Sequence, residues 1–205
     1  MALAIFLRKR VTVNKFRELL LASLNSGLGD EAIICSGFFQ ENYNGSSYQV
    51  STDGSIIAAL TSNNINLKTI GIHNYAWLQS YRNFRDNLRA AGVSIDAKVT
   101  RSYRWHAKIY ILKKDSAPIF AIIGSSNMTR NAYGITTPFN FEADVMLWTP
   151  QFNVLLETDI TELGQFPDEV IVADYDPKKN WELSIEDRLE QLARELDNIS
   201  LTDLS

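Results

Sequence analysis

The chain carries the sequence WHAKIYIL at residues 105–112, PIFAIIGSSN at 118–127 and NFE at 140–142. Both Ile109–Leu112 and Pro118–Ile123 are apolar and rich in β-branched and aromatic residues, so the sequence predicts two strands here. The polar residues at the ends of these two strands carry the side chains that are suited to catalysis and anion binding. The remaining elements are interpreted as the framework that holds them.

Three kinds of polar group meet at these strand ends. His106 and Lys108 are two residues apart, and residues two apart on a strand share one face at a separation of about 7 Å. The second strand stops at Gly124. One of residues 125–127 (Ser-Ser-Asn) then caps a short helix, whose free N–H groups form an anion site. An imidazole, a fixed cation and an amide beside a turn suit a phosphate oxyanion.

This pattern resembles the phospholipase D superfamily motif, His-x-Lys-(x4)-Asp followed by Gly-Ser-x-Asn. The two halves are matched in order by His106-x-Lys108 and by Gly124-Ser-x-Asn127. The superfamily's Asp falls on Lys113 instead. The metal-independent phospholipase-D-like restriction endonucleases and related nuclease domains also lack that Asp and use a later Glu, and Glu142 looks like that residue.

The resemblance implies a metal-independent phosphodiesterase that hydrolyses nucleic acid, with DNA favoured over RNA, through a phosphohistidine intermediate. In that mechanism His106 attacks phosphorus, while Lys108 and Asn127 stabilise charge on the phosphate oxygens. Ser125 helps to hold the phosphate. Glu142 accepts a hydrogen bond from the other ring nitrogen of His106 and so fixes its orientation.

The mechanism also needs a second imidazole to protonate the leaving oxygen. The chain has two histidines, His73 and His106, and no Lys follows His73 two residues on. His73 is therefore interpreted as a strand-end residue. The second imidazole is then expected from another copy of the chain across a twofold axis. The expected assembly is a homodimer with one shared active centre.

Composition bounds the remaining possibilities. Cys35 is the single cysteine among 205 residues, so no internal disulfide forms, and no cysteine or histidine cluster has metal-ligand spacing. No metal and no cofactor are expected. The apolar start Ala2–Leu7 is too short for a signal peptide core or a membrane span. A cytoplasmic protein without a membrane partner is the expectation.

Charge distribution bears on a nucleic-acid partner. The net charge is −4, which alone argues against such a partner. Basic residues are nevertheless concentrated around the first motif strand and interleave with aromatic residues, which fits binding to a phosphate backbone. The alternative is a solvated strand edge blunted by lysines. The residues proposed to contact nucleic acid are Lys98, Arg101, Arg104, Lys113 and Lys114.

Periodicity along the chain predicts an α/β fold, with helices flanking one mixed β-sheet, as in a phospholipase-D-like half-site domain. We place the catalytic domain at residues 1–175 and a C-terminal helical extension at 176–205. Apolar residues of Ser184–Ile199 step by four and three, which fits packing on the domain or, alternatively, a dimer contact. Helices are predicted at Asn14–Leu24, Tyr75–Ala90, Gln151–Leu163 and Ser184–Ile199. Strands are predicted at Ala32–Phe39, Asn66–Ile72, Val93–Val99, Ile109–Leu112, Pro118–Ile123, Phe141–Trp148 and Val170–Ala173, and Ile56–Leu60 fits a strand or a helical turn.

Two other function classes remain open. A phospholipid phosphodiesterase or transferase shares the motif, but no amphipathic helix with a basic face is present to lie on a membrane. A non-catalytic dimeric nucleic-acid-binding module would keep the fold, and Lys113 in place of Asp leaves it open. Fold alone does not fix the substrate.

Overall fold

A computed structural model describes residues 3–40, 48–72, 74–101, 106–153 and 169–205. Nine strands and five α-helices lie within these ranges. The strands are β1 Leu3–Arg8, β2 Glu31–Cys35, β3 Asn66–Ile72, β4 Ile95–Thr100, β5 Lys108–Lys114, β6 Ala117–Gly124, β7 Glu142–Trp148, β8 Val170–Ala173 and β9 Leu201–Asp203. The helices are α1 Lys15–Asn25, α2 Gly54–Ser62, α3 Tyr75–Ala90, α4 Arg130–Tyr133 and α5 Ile185–Asp197.

The nine described strands form one mixed sheet in the order β8-β1-β7-β6-β5-β2-β3-β4-β9. The β2, β3 and β4 strands are parallel, and the other neighbouring pairs are antiparallel. Helices flank the sheet, so the predicted α/β fold class is confirmed. None of the described helices has the length and apolar character needed to cross a bilayer.

Each face of the sheet has its own core. Helices α1, α2 and α3 cover one face, hereafter the α1–α3 face, where their apolar residues pack with Tyr110 and Leu112 of β5. Helix α5 covers the other face, hereafter the α5 face, through Leu189, Ala193 and Leu196. The apolar seam of the C-terminal helix therefore packs back on the domain. Strand β9, which follows α5, pairs with β4.

Local capping explains where the helices begin. The Asn14 side chain accepts a hydrogen bond from the backbone N–H of Arg17 at the start of α1. Ser184 and Asp187 form a reciprocal capping box at the start of α5. Such caps satisfy backbone donors that the first helical turn leaves free.

Several predicted elements differ in the structure. Residues Ile56–Leu60 are helical and form part of α2. The side chain of Asp53 caps the first turn of this helix. The strand predicted at Ala32–Phe39 ends at Cys35. Strands β1 and β9 were not predicted. Of the helix predicted at Gln151–Leu163, residues 154–163 lie outside the described residues.

One edge of the sheet collects the polar residues of interest. Residues Arg8 and Glu142 are register partners, and Lys108 and Asp144 both pair with Gly124. Because β5 and β7 begin where β1 and β6 end, all these residues lie at one edge. We call it the site edge. It also includes the C-terminal ends of β2, β3 and β4.

Candidate active site

Three adjacent strands bring the charged residues of the motif together. Lys108, Gly124 and Asp144 lie side by side on β5, β6 and β7. Strand alternation puts Lys108 on the same face as Tyr110, and it puts Glu142 and Asp144 on the same face as Met146. All three charged side chains therefore point to the α1–α3 face. They are nearly inaccessible, with exposures of 7% for Lys108, 5% for Glu142 and 4% for Asp144.

The charges of this cluster influence one another. Burial lowers the pKa of the Lys108 ammonium, and the carboxylates of Glu142 and Asp144 oppose that shift. Burial raises the pKa of Asp144, which the hydrogen bonds from Ser126 partly offset. Two carboxylates thus compensate one buried cation. The Lys108 amine has little contact with solvent, so its interactions with neighbouring charges are stronger there than in water.

Gly124 is required by the close approach of β6 to β7. A Cβ atom added at this position would lie 2.5 Å from the carbonyl oxygen of Ala143 and 2.7 Å from Cα of Asp144, and closer still to Asp144 Oδ1. Two of these three neighbours are backbone atoms, which cannot rotate away. The glycine of the Gly-Ser-x-Asn motif therefore provides space between Lys108 and Asp144.

Both serines of the turn after Gly124 form hydrogen bonds to β7. The Ser125 hydroxyl donates to Glu142 and accepts from the backbone N–H of Ala143 at 3.0 Å. The Ser126 hydroxyl donates to Asp144 Oδ2 at 2.6 Å, and its backbone N–H donates to Asp144 Oδ1 at 3.2 Å. The short helix predicted to be capped by one of residues 125–127 instead begins at Arg130, after Thr129. The turn itself, rather than a helix N-terminus, forms this part of the site.

Asn127 is held from the opposite side by Ser36, which follows β2. The Ser36 hydroxyl lies 3.2 Å from Asn127 Oδ1 and shares its hydrogen with the carbonyl oxygen of Phe38 at 2.7 Å. The Ser36 oxygen also accepts from the backbone N–H of Met128. No described residue accepts a hydrogen bond from Asn127 Nδ2. The amide oxygen is thus engaged by protein, and the amide nitrogen remains for a ligand oxygen.

His106 lies at the site edge, two residues before β5, and is exposed. Within the described residues it makes no hydrogen bond to Glu142, whose carboxylate oxygens accept from Ser125 and from Asn140 Nδ2 (2.9 Å for the latter). The predicted bond between His106 and Glu142 is therefore not formed in this structure. The predicted catalytic role of His106 stays a prediction, and His73 lies outside the described residues.

The basic residues predicted to bind nucleic acid do not form one patch. Arg101 is exposed beside the end of β4 at the site edge, and Arg104 is outside the described residues. Lys98 pairs with Asp203 and Asp96, and the bond to Asp203 is the first cause of its raised pKa. Lys113 and Lys114 are at the far end of β5, about 17 Å along the strand from Lys108. There they pair with Glu31 at 3.2 Å and Asp30 at 3.1 Å. Their role in binding stays a prediction.

Three site residues were missed in the sequence. Asp144 had a signal, since it follows Glu142 by two residues and so shares its face. Ser36 and Arg8 had none, because their contacts join distant parts of the chain. The Arg8 guanidinium donates to the carbonyl oxygens of Asn131, Ala132 and Gly134 at 2.6–3.0 Å. Burial lowers the pKa of Arg8, and Glu142 opposes the shift.

The arrangement of potential metal ligands bears on the chemistry of the site. In the parts of the chain that the structure describes, no three His, Cys, Asp or Glu side chains are grouped to hold a metal ion. The Cys35 thiol is buried, and burial raises its pKa to about 12. It is therefore a packed thiol rather than a reactive one.

Comparison with known proteins places these observations in a family context. Residues 30–155 match the model of the NgoFVII restriction endonuclease N-terminal PLD (phospholipase D) domain family. The structure is similar to Nuc from Salmonella typhimurium, a phospholipase D family member, with a TM-score of 0.51 and 14% identity over 85% of this chain and 99% of Nuc. It is also similar to phosphatidylserine synthase from Haemophilus influenzae, with a TM-score of 0.51 and 13% identity over 95% of this chain and 46% of the synthase. At these identities the two structures show a shared fold. No curated protein matches the chain.

Proposed function

The chain belongs to the NgoFVII restriction endonuclease N-terminal PLD domain family, and we propose that it is a metal-independent nuclease that cleaves DNA through a covalent intermediate on His106. The observation that supports this most is the convergence of Lys108, the 124–127 turn and Glu142 at one edge and on one face of the sheet. The family's restriction-endonuclease name favours DNA as the substrate.

The site offers fixed donors for a phosphate. Lys108 is buried at the site edge, so its side chain has little freedom to move before a phosphate binds. Asn127 Nδ2 is directed by the contact of its amide oxygen with Ser36. Donors that are already oriented stabilise the charge that develops on phosphate oxygens better than mobile ones do. Ser125 joins this set through its place in the same turn.

The reaction would proceed in two displacements at phosphorus. First, a ring nitrogen of neutral His106 bonds to phosphorus and the bond to the leaving oxygen breaks, while a protonated imidazole donates its proton to that oxygen. Second, water attacks phosphorus, gives a proton to the now neutral second imidazole, and the P–N bond breaks. Covalent catalysis divides one difficult step into two easier ones.

The second imidazole is proposed to be His106 of another copy of the chain. Each copy contributes one His-x-Lys motif, and a twofold axis through the site edge brings the two copies together. The two histidines then differ only in protonation, one acting as the nucleophile and the other as the acid. The exposed position of His106 at the site edge supports this arrangement.

The test of the reaction is cleavage of supercoiled plasmid and of single-stranded DNA in excess EDTA. Wild-type protein is expected to cleave, and both His106→Ala and Lys108→Met are expected to lose activity by at least about a hundredfold. The chain's other histidine provides the matched control, because His73→Ala is expected to retain activity. Cleavage that EDTA abolishes, or that His106→Ala retains, would contradict the proposal. Hydrolysis of phospholipid but not DNA would point to the lipid enzyme instead.

The shared centre has a separate test. Wild-type and His106→Ala chains are unfolded together in equal amounts and refolded, so that they pair at random. If both histidines serve one centre, mixed dimers are inactive and about a quarter of the wild-type activity remains. If each chain works alone, about a half remains. A molar mass of one chain under the assay conditions would also argue against the dimer.

A further inference from the structure

Asp144 is a buried carboxylate beside the motif residues, and the reaction outlined above does not use it. Each of its oxygens accepts one hydrogen bond from Ser126, from the hydroxyl at 2.6 Å and from the backbone N–H at 3.2 Å. With 4% of its surface exposed, it has little contact with solvent. Burying a carboxylate costs free energy unless its oxygens are engaged. Both oxygens of Asp144 are engaged with one residue.

That one residue occupies the variable position of Gly-Ser-x-Asn. Ser126 lies between Ser125, which bonds to Glu142, and Asn127, whose amide oxygen contacts Ser36. A clamp on the middle residue limits the movement of both neighbours. The clamp is also tight against β6, since the Asp144 carboxylate fills the space that a side chain at Gly124 would need.

The charge of the same carboxylate also influences the site. The Asp144 carboxylate acts on the Lys108 ammonium across Gly124, in addition to Glu142. A neutral side chain at position 144 would leave Lys108 with one compensating carboxylate and the turn with a weaker anchor. Both changes would alter the donors that face the phosphate.

We propose that Asp144 is a positioning residue, which clamps Ser126 and so orients Asn127 toward the phosphate, while its charge acts on Lys108. This inference rests on the proposed phosphodiesterase function. It predicts a loss in the rate of the chemical step, because donors displaced by a fraction of an ångström stabilise the transition state less well. It predicts a smaller change in KM, because donors that are slightly displaced lose more of their stabilisation of the transition state than of the bound substrate.

The clamp is tested by a double-mutant cycle on a chromogenic diester, bis(p-nitrophenyl) phosphate. Asp144→Asn and Ser126→Ala are each expected to lower kcat about tenfold and to leave KM within about twofold. The double variant should lose no more than Asp144→Asn alone, since the loss of the Ser126–Asp144 interaction is already part of that variant's effect. The matched control is Asp187→Asn, which removes a Ser–Asp bond of 2.7 Å at the start of α5 and should leave kcat unchanged.

A second measurement does not depend on turnover or on the stability of one variant. Orthovanadate adopts the five-coordinate geometry of the phosphoryl transition state, and analogues of that state lose affinity when its donors are displaced. Calorimetric titration should show about tenfold weaker binding for folded Asp144→Asn and for Ser126→Ala, and unchanged binding for Asp187→Asn.

The outcomes distinguish the positioning role of Asp144 from the proposed phosphodiesterase function. Wild-type kcat and orthovanadate affinity in Asp144→Asn, or losses that multiply in the double variant, would overturn the positioning role alone. Reduced unfolding temperature with normal kcat would do the same, since it would assign Asp144 a structural role. Wild-type protein that neither hydrolyses the diester nor binds orthovanadate would overturn the proposed function, and this inference with it.

Discussion

Replacing Gly124 with Ala is the substitution whose cost the structure defines best. The added methyl group meets the carbonyl oxygen of Ala143 at 2.5 Å and Cα of Asp144 at 2.7 Å, where an ordinary contact needs at least 3.4 Å. Relief therefore requires β6 and β7 to separate locally by several tenths of an ångström. The pairing of β6 with β7 next to Gly124 and the Ser126–Asp144 clamp would both be disturbed.

The magnitude follows from this geometry. Overpacking a well-packed site by one methyl group costs about 1–3 kcal/mol, and two rigid backbone neighbours place Gly124→Ala near the upper end. We expect a loss of about 3 kcal/mol in the free energy of unfolding, which corresponds to a fall of about 6–12 °C in Tm for a chain of this size. The folded fraction should also show a kcat reduced at least about tenfold, since Ser125 and Asn127 move with the turn.

Urea unfolding followed by circular dichroism measures the loss, and diester hydrolysis measures the kcat. Gly54→Ala is the matched control, because no atom lies within 4 Å of the position of its added methyl group. Gly54 begins α2, so alanine there should be neutral or stabilising by up to about 1 kcal/mol. A Gly124→Ala protein within about 0.5 kcal/mol of wild type would refute the packing argument.

Three further predictions concern residues around and away from the site. Lys113→Met should leave kcat unchanged, because Lys113 pairs with Glu31 at the far end of β5. It should lower the free energy of unfolding by about 1–2 kcal/mol in urea titrations, and a large loss of kcat would place Lys113 in the reaction. Ser36→Ala should lower kcat about fivefold in steady-state assays because it releases Asn127 Oδ1, and Ser36→Thr should retain part of the lost activity. An unchanged kcat in Ser36→Ala would show that Asn127 is oriented without Ser36. Burial raises the pKa of Asp144, so the folded state binds the Asp144 proton more tightly than the unfolded chain does. The free energy of unfolding of wild type should therefore rise relative to that of Asp144→Asn as pH falls from 7 toward about 4. A difference that is constant with pH in urea titrations would contradict that shift.

The central part of the fold could be predicted because its elements have local signals. Strand β7 and helix α3 carry alternating and helical apolar patterns, and each is found within a residue or two of its predicted bounds. Strands β1 and β9 have no local sequence signal of this kind. Strand β1 exists through pairing with β7 and β8, and β9 through pairing with β4, so their partners are remote in the sequence. A strand of this kind is specified by its partners more than by its own residues.

The residues of the candidate site likewise fall into those that the sequence predicts and those that it does not. Lys108 and Asn127 follow from the motif, and the structure brings both to the site edge. Ser36 was beyond prediction, because its contact with Asn127 spans 91 residues. Lys113 is close to Lys108 in the sequence but lies at the other end of the same strand, where it pairs with Glu31, and its role in nucleic-acid binding stays a prediction. A strand of seven residues is about 20 Å long, so the two ends of β5 face different surroundings.

The stereochemical course at phosphorus tests the covalent mechanism most directly. The substrate is a phosphorothioate DNA diester of one configuration, cleaved by wild-type protein in excess EDTA and heavy-oxygen water. Each in-line displacement inverts phosphorus, so two displacements through His106 predict a product with overall retention of configuration. Inversion would show a single direct attack by water and would contradict the phosphohistidine, even if the site edge proves to be the place of cleavage.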